Sequence, residues 1–188
     1  MIFVLTGGIH CGKTTMVIRV AEALRKEGYS LAGIVSQVFS KDGVNLGYDT
    51  VDLQSAEKFP LLRKKENLGD FGADRDAGAM ERVGDYYFSM HGLRKASQAI
   101  LNNKQADLTV IDEIGPLEIK KKMGLWAALK GLFAKKEIDA LFVVRDTLLD
   151  EFLSFIKGRE KEIFSIKEEN IFENLLGQIQ LSLSTKEK

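Results

Sequence analysis

Nine residues near the N-terminus have the composition of a phosphate-binding loop. Gly7, Gly12, Lys13 and Thr14 satisfy the pattern G-x-x-x-x-G-K-[ST]. Glycines let the backbone curl until successive N–H groups point at phosphate oxygens, and the helix that follows adds the positive end of its dipole. In this pattern the lysine bridges the β- and γ-phosphates and the hydroxyl binds Mg²⁺. The predicted nucleotide-binding residues are Gly7, Gly8, Ile9, His10, Cys11, Gly12, Lys13, Thr14 and Thr15.

Two adjacent acids are the second candidate for chemistry. Asp112 and Glu113 directly follow the apolar run 108–111. Ligands of open α/β sheets lie outside the carboxyl ends of the strands, so both acids should face the phosphates. We expect Asp112 to hold Mg²⁺ and Glu113 to orient and deprotonate the attacking water. Without other signals, two such acids could equally well cap a turn between a strand and a helix. The phosphate loop earlier in the chain favours the functional interpretation.

Arg145 is the third candidate, because it ends another apolar run, 140–144. A cation at this edge of the sheet would stabilise the transferring phosphoryl group, so we predict a catalytic role. His10 and Cys11 stand where loops of this kind usually carry small residues. They either contact the phosphates and respond to oxidation or simply tolerate the local backbone, and the second interpretation is favoured.

Alternating periodicities position these residues in an α/β fold. Short apolar runs predict strands, and runs with apolar residues three and four apart predict helices. The predicted strands are 2–6, 31–38, 108–111, 140–144 and 162–166, and the predicted helices are 13–27, 86–101, 124–135, 147–156 and 168–183. This order implies a mainly parallel, doubly wound sheet. We expect one domain over 1–188, with an antiparallel ribbon at 41–65, a loop at 66–82 and a frayed tail at 184–188.

Charge and cysteine usage narrow the class of protein. The 188 residues contain 27 basic and 27 acidic side chains, and this balance removes the usual argument for nucleic-acid binding. Cys11 is the only cysteine, so neither an intramolecular disulfide nor a cysteine metal cluster is available. No apolar run reaches the roughly 20 residues that span a bilayer, and no signal peptide is recognisable. These features predict a cytoplasmic monomer or weak oligomer without a membrane partner.

Several segments together resemble one known family. They are Thr6-Gly7…Gly12-Lys13-Thr14-Thr15, Gly33-Ile34-Val35, Gly47-Tyr48-Asp49, Val83-Gly84-Asp85-Tyr86 and Ile111-Asp112-Glu113-Ile114-Gly115-Pro116-Leu117-Glu118. They resemble the small nucleoside-triphosphatases first known from thermophiles, also called the cancer-related nucleoside-triphosphatases. The resemblance implies a fold similar to the RecA-like P-loop branch and slow, Mg²⁺-dependent hydrolysis of ATP, GTP and other triphosphates with little base preference. The chain departs from the family at Ile9-His10, where Pro-Gly is usual.

Three other functions compete with triphosphate hydrolysis. A guanine-specific switch protein would need Asn-Lys-x-Asp after the acids, and the nearest match, 103–107, precedes them and is one residue out of register. A nucleotide or small-molecule kinase would use the same loop with an arginine-rich lid, for which 63–82 is a candidate. A low-turnover accessory protein of the molybdenum-cofactor-assembly type would bind the nucleotide without much hydrolysis.

Overall fold

The computed structural model describes residues 1–75, 80–103 and 105–185. The strands are β1 (Ile2–Gly7), β2 (Leu31–Lys41), β3 (Val44–Asp52), β4 (Lys58–Lys64), β5 (Met80–Val83), β6 (Tyr86–Ser89), β7 (Leu108–Ile114), β8 (Ala140–Arg145) and β9 (Lys161–Ser165). The α-helices are α1 (Lys13–Lys26), α2 (Met90–Leu101), α3 (Pro116–Ile119), α4 (Trp126–Phe133), α5 (Leu149–Phe155) and α6 (Ile171–Ser184). Two 3₁₀ segments cover Lys65–Arg75 and Asp146–Leu148.

The strands form one sheet in the order β5-β6-β4-β3-β2-β7-β8-β1-β9. Strands β2, β7, β8, β1 and β9 run parallel to one another, and we call them the parallel region. Strands β3, β4, β6 and β5 continue the sheet with antiparallel pairs, and we call them the antiparallel extension. Strand β8 lies between the strand that leads into the phosphate loop and the strand that carries the acids, which confirms the predicted RecA-like, mainly parallel fold class.

Both faces of the parallel region are covered by helices, as a doubly wound sheet requires. Successive residues of β1 point to opposite faces. Ile2 and Val4 pack in the core that includes residues of α2 and α4, whereas Phe3 and Leu5 pack in the core that includes residues of α1 and α6. This sandwich fixes the carboxyl ends of β1, β7 and β8 at one edge, where the candidate residues lie.

The antiparallel extension is larger than the predicted ribbon. The prediction of a loop at 66–82 is wrong in part, because a 3₁₀ segment covers Lys65–Arg75 and β5 begins at Met80; residues 76–79 lie outside the described chain. The predicted helix 86–101 is wrong at its start, because Tyr86–Ser89 is a strand between β4 and β5. Helix α2 starts only after Ser89, whose hydroxyl accepts a hydrogen bond from the Gly92 N–H at 2.9 Å.

A buried ion pair holds the extension together. Arg63 on β4 is 3% exposed and donates to the Asp49 carboxylate on β3 and to the Tyr48 carbonyl oxygen. Its guanidinium lies 4.0 Å from the centroid of the Phe39 ring, a favourable stacking of cation on aromatic face. Arg63 is therefore a structural residue in the sheet and is not available as an arginine of a mobile lid.

The remaining differences concern the ends of elements. Strand β2 continues to Lys41, α4 is shorter than the predicted 124–135, and the predicted helix 147–156 is a 3₁₀ turn followed by α5. The predicted tail falls partly on α6, which ends at Ser184, and residues 186–188 lie outside the described chain. None of the described helices combines the length and apolar character needed to cross a membrane.

Candidate active site

The phosphate loop connects the end of β1 at Gly7 to the start of α1 at Lys13. Gly12 has φ of 92°, a left-handed conformation that glycine adopts without strain. Helix α1 has Gly12 as its N-terminal cap residue, which has no side chain to accept a hydrogen bond from the first turn. Its first-turn N–H groups are therefore left for another acceptor, which at a helix N-terminus is typically an anion.

The start of the loop is closely packed. A side-chain carbon added at Gly7 would lie 2.5 Å from Cγ2 of Ile166 and 3.0 Å from the Cys11 sulfur. Only glycine fits there without displacing a neighbour, so the sequence pattern at Gly7 reflects close approach of the segment after β9.

Lys13 occupies the centre of the loop and is only 4% exposed. Its ammonium donates hydrogen bonds to the carbonyl oxygens of Gly7 at 3.0 Å and Gly8 at 2.6 Å. It also lies 3.9 Å from Oε2 of Glu113, so the loop and the acidic strand meet at this cation. A buried ammonium held by two carbonyls and one carboxylate is a site that a polyphosphate can enter by replacing them.

Asp112 and Glu113 lie inside β7 and are joined by a cis peptide bond. Asp112 is completely buried. Strand β2 supports it: the Ser36 N–H donates to Oδ2 of Asp112 at 3.2 Å, and the Ser36 hydroxyl donates to the Asp112 carbonyl oxygen at 2.7 Å. Ser36 was not among the sequence candidates.

Burial raises the pKa of Asp112 to about 7. Hydrogen bonding from Thr14 and from the Ser36 backbone lowers this pKa, Glu113 raises it and Lys13 lowers it. Its Oδ1 atom has no hydrogen-bond partner within normal distance in the described chain, so Thr14 faces this carboxylate without fully satisfying it. A buried carboxylate oxygen that lacks a donor is poorly stabilised unless a cation binds it.

The oxygen atoms around Asp112 are suitable ligands for Mg²⁺, because one buried carboxylate oxygen lacks a hydrogen-bond donor. Mg²⁺ prefers oxygen ligands and is usually held by one or two carboxylates, waters and substrate phosphates. Asp112 and the Thr14 hydroxyl supply the protein part of such a set. The described residues contain no group of three or more His, Cys, Asp or Glu side chains that could hold a metal.

Arg145 ends β8 and contacts the other acid. Its Nε donates to Oε1 of Glu113, whose second oxygen faces Lys13. Glu113 is therefore held between two cations, and about a quarter of its side chain stays exposed. The predicted catalytic residues Lys13, Glu113 and Arg145 are thus brought together.

The other predicted loop residues lie around this centre. Ile9, His10, Cys11 and Thr15 are exposed, and together with Thr14 they line the same cavity as Glu113 and Arg145. The Cys11 thiol donates to the Gly8 carbonyl oxygen at 2.9 Å, and His10 has φ of 57°. The thiol thus contacts the loop backbone and His10 adopts a left-handed conformation, while the roles of both residues stay predictions.

Glu118 is a second residue for which the sequence indicated no role, although it lies within the Gly-Pro-Leu-Glu run. Its buried carboxylate accepts hydrogen bonds from the Gly115 N–H at 3.1 Å and the Leu125 N–H at 3.3 Å. It closes the turn after β7, and burial raises its pKa. The signal for this role is the spacing of an acid three residues after Gly115, the residue that caps a short helix.

A strand, a glycine loop carrying a buried lysine, and two acids on a non-adjacent parallel strand define a P-loop protein of the RecA-like branch. The NTPase family model matches residues 2–179, and the chain belongs to that family of nucleoside-triphosphatases.

Curated relatives support this assignment. Nucleoside-triphosphatase THEP1 of Thermofilum pendens is 31% identical over 89% of this chain and 87% of its own length. That of Methanopyrus kandleri is 30% identical over 76% of this chain and 72% of its own length.

Two solved structures share the fold. The solution structure of a human cancer-related nucleoside triphosphatase has a TM-score of 0.69 at 23% identity, covering 99% of this chain and 98% of that one. The crystal structure of THEP1 from Aquifex aeolicus has a TM-score of 0.63 at 16% identity, covering 96% of this chain and 99% of that one.

Proposed function

We propose that this chain hydrolyses nucleoside 5′-triphosphates to the diphosphate and phosphate in an Mg²⁺-dependent reaction. One observation carries the proposal: the buried Lys13 ammonium lies 3.9 Å from the Glu113 carboxylate. A terminal phosphate bound by Lys13 would therefore have a carboxylate beside it.

Each side chain has a distinct part in the proposed reaction. The loop amides and Lys13 bind the phosphates, and the Thr14 hydroxyl and Asp112 would hold Mg²⁺, which would supply positive charge to stabilise the transferring phosphoryl group. Glu113 accepts a proton from the attacking water. The water oxygen bonds to the γ-phosphorus, the bond from that phosphorus to the bridging oxygen breaks, and the diphosphate leaves.

Arg145 gives this reaction an order of events. In the structure its guanidinium and Lys13 both contact Glu113, so the carboxylate is neutralised by two cations. An arriving triphosphate offers both cations more negative charge and stronger, charge-assisted hydrogen bonds. Glu113 is then released to act on water while Arg145 stabilises the transferring phosphoryl group.

Low base specificity is part of the proposal. The loop groups to which the proposal gives a role are backbone amides, the Lys13 ammonium and the Thr14 hydroxyl, which address phosphates common to every nucleoside triphosphate. The family relatives are named as nucleoside-triphosphatases without a particular base.

Glu113→Gln tests the assignment of the base. The amide keeps the size of the side chain but cannot accept the proton, so we expect hydrolysis to fall by about 10²- to 10⁴-fold while nucleotide affinity changes little. Phosphate release and calorimetric binding should be measured with ATP and GTP, with and without Mg²⁺. Near-normal turnover would show that another group is the base.

The same assays separate the alternatives. Turnover that requires an added hydroxyl acceptor would favour the kinase, and binding without turnover would favour the accessory protein. We also propose that the protein is a cytoplasmic monomer or weak oligomer, consistent with its single free thiol. Light scattering across a range of concentrations would test the oligomeric state.

A further inference from the structure

The cavity at the phosphate loop extends well beyond the residues used for hydrolysis. Its volume is about 910 Å³, at the upper end of the usual range for small-molecule sites. One end contains the loop, Glu113 and Arg145. The other end, which we call the apolar chamber, is lined by Val38, Tyr48, Leu61, Leu62, Tyr86, Phe88 and Leu117.

The walls of the apolar chamber are preformed. Leu61, Phe88 and Leu117 are each less than a tenth exposed and make a small core of their own, separate from the two main cores. The rings of Tyr48 and Tyr86 lie 5.8 Å apart between centroids, in a tilted arrangement that favours aromatic contact. Because these side chains already pack against one another, a ligand could bind in the chamber with little rearrangement of its walls.

The chamber lies on the side of the acids that faces away from the phosphate loop. In the sheet, β7 separates β1 from β2, β3, β4 and β6, and these four strands supply six of the seven chamber residues. Strand β4 is three strands from β7, or roughly 14 Å at the usual spacing. Glu113 on β7 therefore lies at the boundary between the phosphate site and the apolar chamber.

This position does not suit the nucleoside. Lys13 and Glu113 mark the terminal phosphate, and a nucleoside is attached to the opposite end of the triphosphate. A molecule in the chamber would approach the terminal phosphate from its free side.

We propose that the apolar chamber binds a second small molecule at the same time as the nucleotide. The lining selects an aromatic or other apolar ring compound, and Gln37 and Lys121, which also line the cavity, suit a single hydroxyl or anionic group on it. The proposal rests on the proposed function for the location of the nucleotide, and on the chamber itself for the second ligand.

Anilinonaphthalene sulfonate, an apolar ring probe with one anionic group, tests the site by its fluorescence on binding. We expect it to saturate at about one probe per chain, both without nucleotide and with saturating ADP and Mg²⁺. Nucleotide binding is measured separately by calorimetry without the probe, so a failure of the phosphate site is distinguished from a failure of the chamber.

Two exposed valines of the same hairpin provide a matched pair of variants. Val38 lines the chamber and is 48% exposed, whereas Val44 is 55% exposed and does not line it. Val38→Glu places an unpaired charge against the probe and should weaken its binding by about tenfold or more. Val44→Glu should bind the probe as the unmodified protein does, and both variants should keep nucleotide affinity.

Three outcomes would overturn the proposal. Competitive displacement of the probe by nucleotide would mean that the chamber takes the nucleobase. Equal probe binding by both variants and the unmodified protein, or no saturable binding to the nucleotide complex, would mean that the chamber is not a ligand site.

Discussion

The parallel region and the antiparallel extension place their charged side chains in opposite ways. In the parallel region Lys13, Glu113 and Arg145 collect at the carboxyl edge, where an anion can reach them. In the extension Arg63 and Asp49 neutralise each other inside the structure, and the cavity is lined mainly with apolar side chains. Charge in the first region is therefore available for a ligand, whereas charge in the second is used to hold strands together.

Lys13→Ala should have the largest effect on nucleotide binding, which depends on the parallel region and not on the antiparallel extension. The change removes a buried ammonium and leaves the Gly7 and Gly8 carbonyls without their donor. Truncating such a partner costs up to about 5 kcal/mol, on the order of 10³-fold in affinity or more. Calorimetry should therefore detect no triphosphate complex, whereas Lys26→Ala at the exposed end of α1 should bind normally. Retained binding would place the phosphates elsewhere.

Arg145→Ala should have the next largest effect, on kcat. If Arg145 stabilises the transferring phosphoryl group, its removal costs about 10³-fold. Arg145→Lys keeps the charge without the planar fork, so it should recover only part of the rate. The measurement is phosphate release at saturating ATP and Mg²⁺. An unchanged kcat would show that Arg145 only positions Glu113 in the nucleotide-free protein and does not act in catalysis.

Arg63→Met addresses the extension alone. Among the described residues it leaves Asp49 with Lys58 as its ion-pair partner, whose Nζ lies 3.5 Å away, and breaking a buried pair costs about 3 kcal/mol of unfolding free energy. Urea denaturation should show this loss in a single transition if 1–188 folds as one domain, and the folded variant should still bind nucleotide. The double variant Arg63→Met with Asp49→Leu should recover much of the stability. Two separate transitions would contradict the single-domain prediction.

The smallest predicted effect is a pH dependence at Glu118. Burial raises its pKa above the unfolded value, so this group favours the folded state most below the unfolded pKa, and that contribution is lost as pH rises through the folded pKa. Glu118→Gln does not titrate, so the variant should gain stability relative to the unmodified protein as pH rises from 4 to 8. Melting temperatures across that range provide the measurement, with Glu22→Gln on the exposed face of α1 as control. A constant difference between the curves would show that burial does not raise this pKa.

These two regions also differ in how far the sequence predicts them. The parallel region was largely predictable, because Lys13 belongs to a recognisable glycine-loop pattern, the acids and Arg145 directly follow apolar runs, and the carboxyl ends of parallel strands share one edge. Lys13 opens α1 and Arg145 ends β8, as that reasoning places them, whereas Asp112 lies inside β7, which continues beyond the predicted 108–111 to Ile114. Their chemical roles remain predictions, which the variants above test.

The extension was harder to predict for physical reasons. Strands β5 and β6 have only four residues each, too few for an alternating pattern to be distinguished from a loop or from the first turn of a helix. Strand β6 (Tyr86–Ser89) is followed directly by α2. No turn residue therefore marks where the alternating pattern of the strand changes to the helical pattern.

Ser36 escaped prediction for a different reason. Its partner Asp112 is 76 residues away, and the contact depends on the register that pairs Ile34 of β2 with Ile111 of β7. Register between distant strands is set by packing of the whole sheet, and a local pattern does not contain it.

Strand β2 belongs to both regions. It pairs with β7 up to Ile34 and with β3 from Ile34 onward. Ser36, which supports Asp112, and Val38, which lines the chamber, are two residues apart and so point to the same side of the strand. A molecule that displaces Val38 would therefore strain the two hydrogen bonds that Ser36, two peptide units away, donates to Asp112. The backbone of β2 thus links the chamber to Asp112 mechanically. A change in the rate of amide hydrogen exchange at Ser36 when a ligand binds would report its movement.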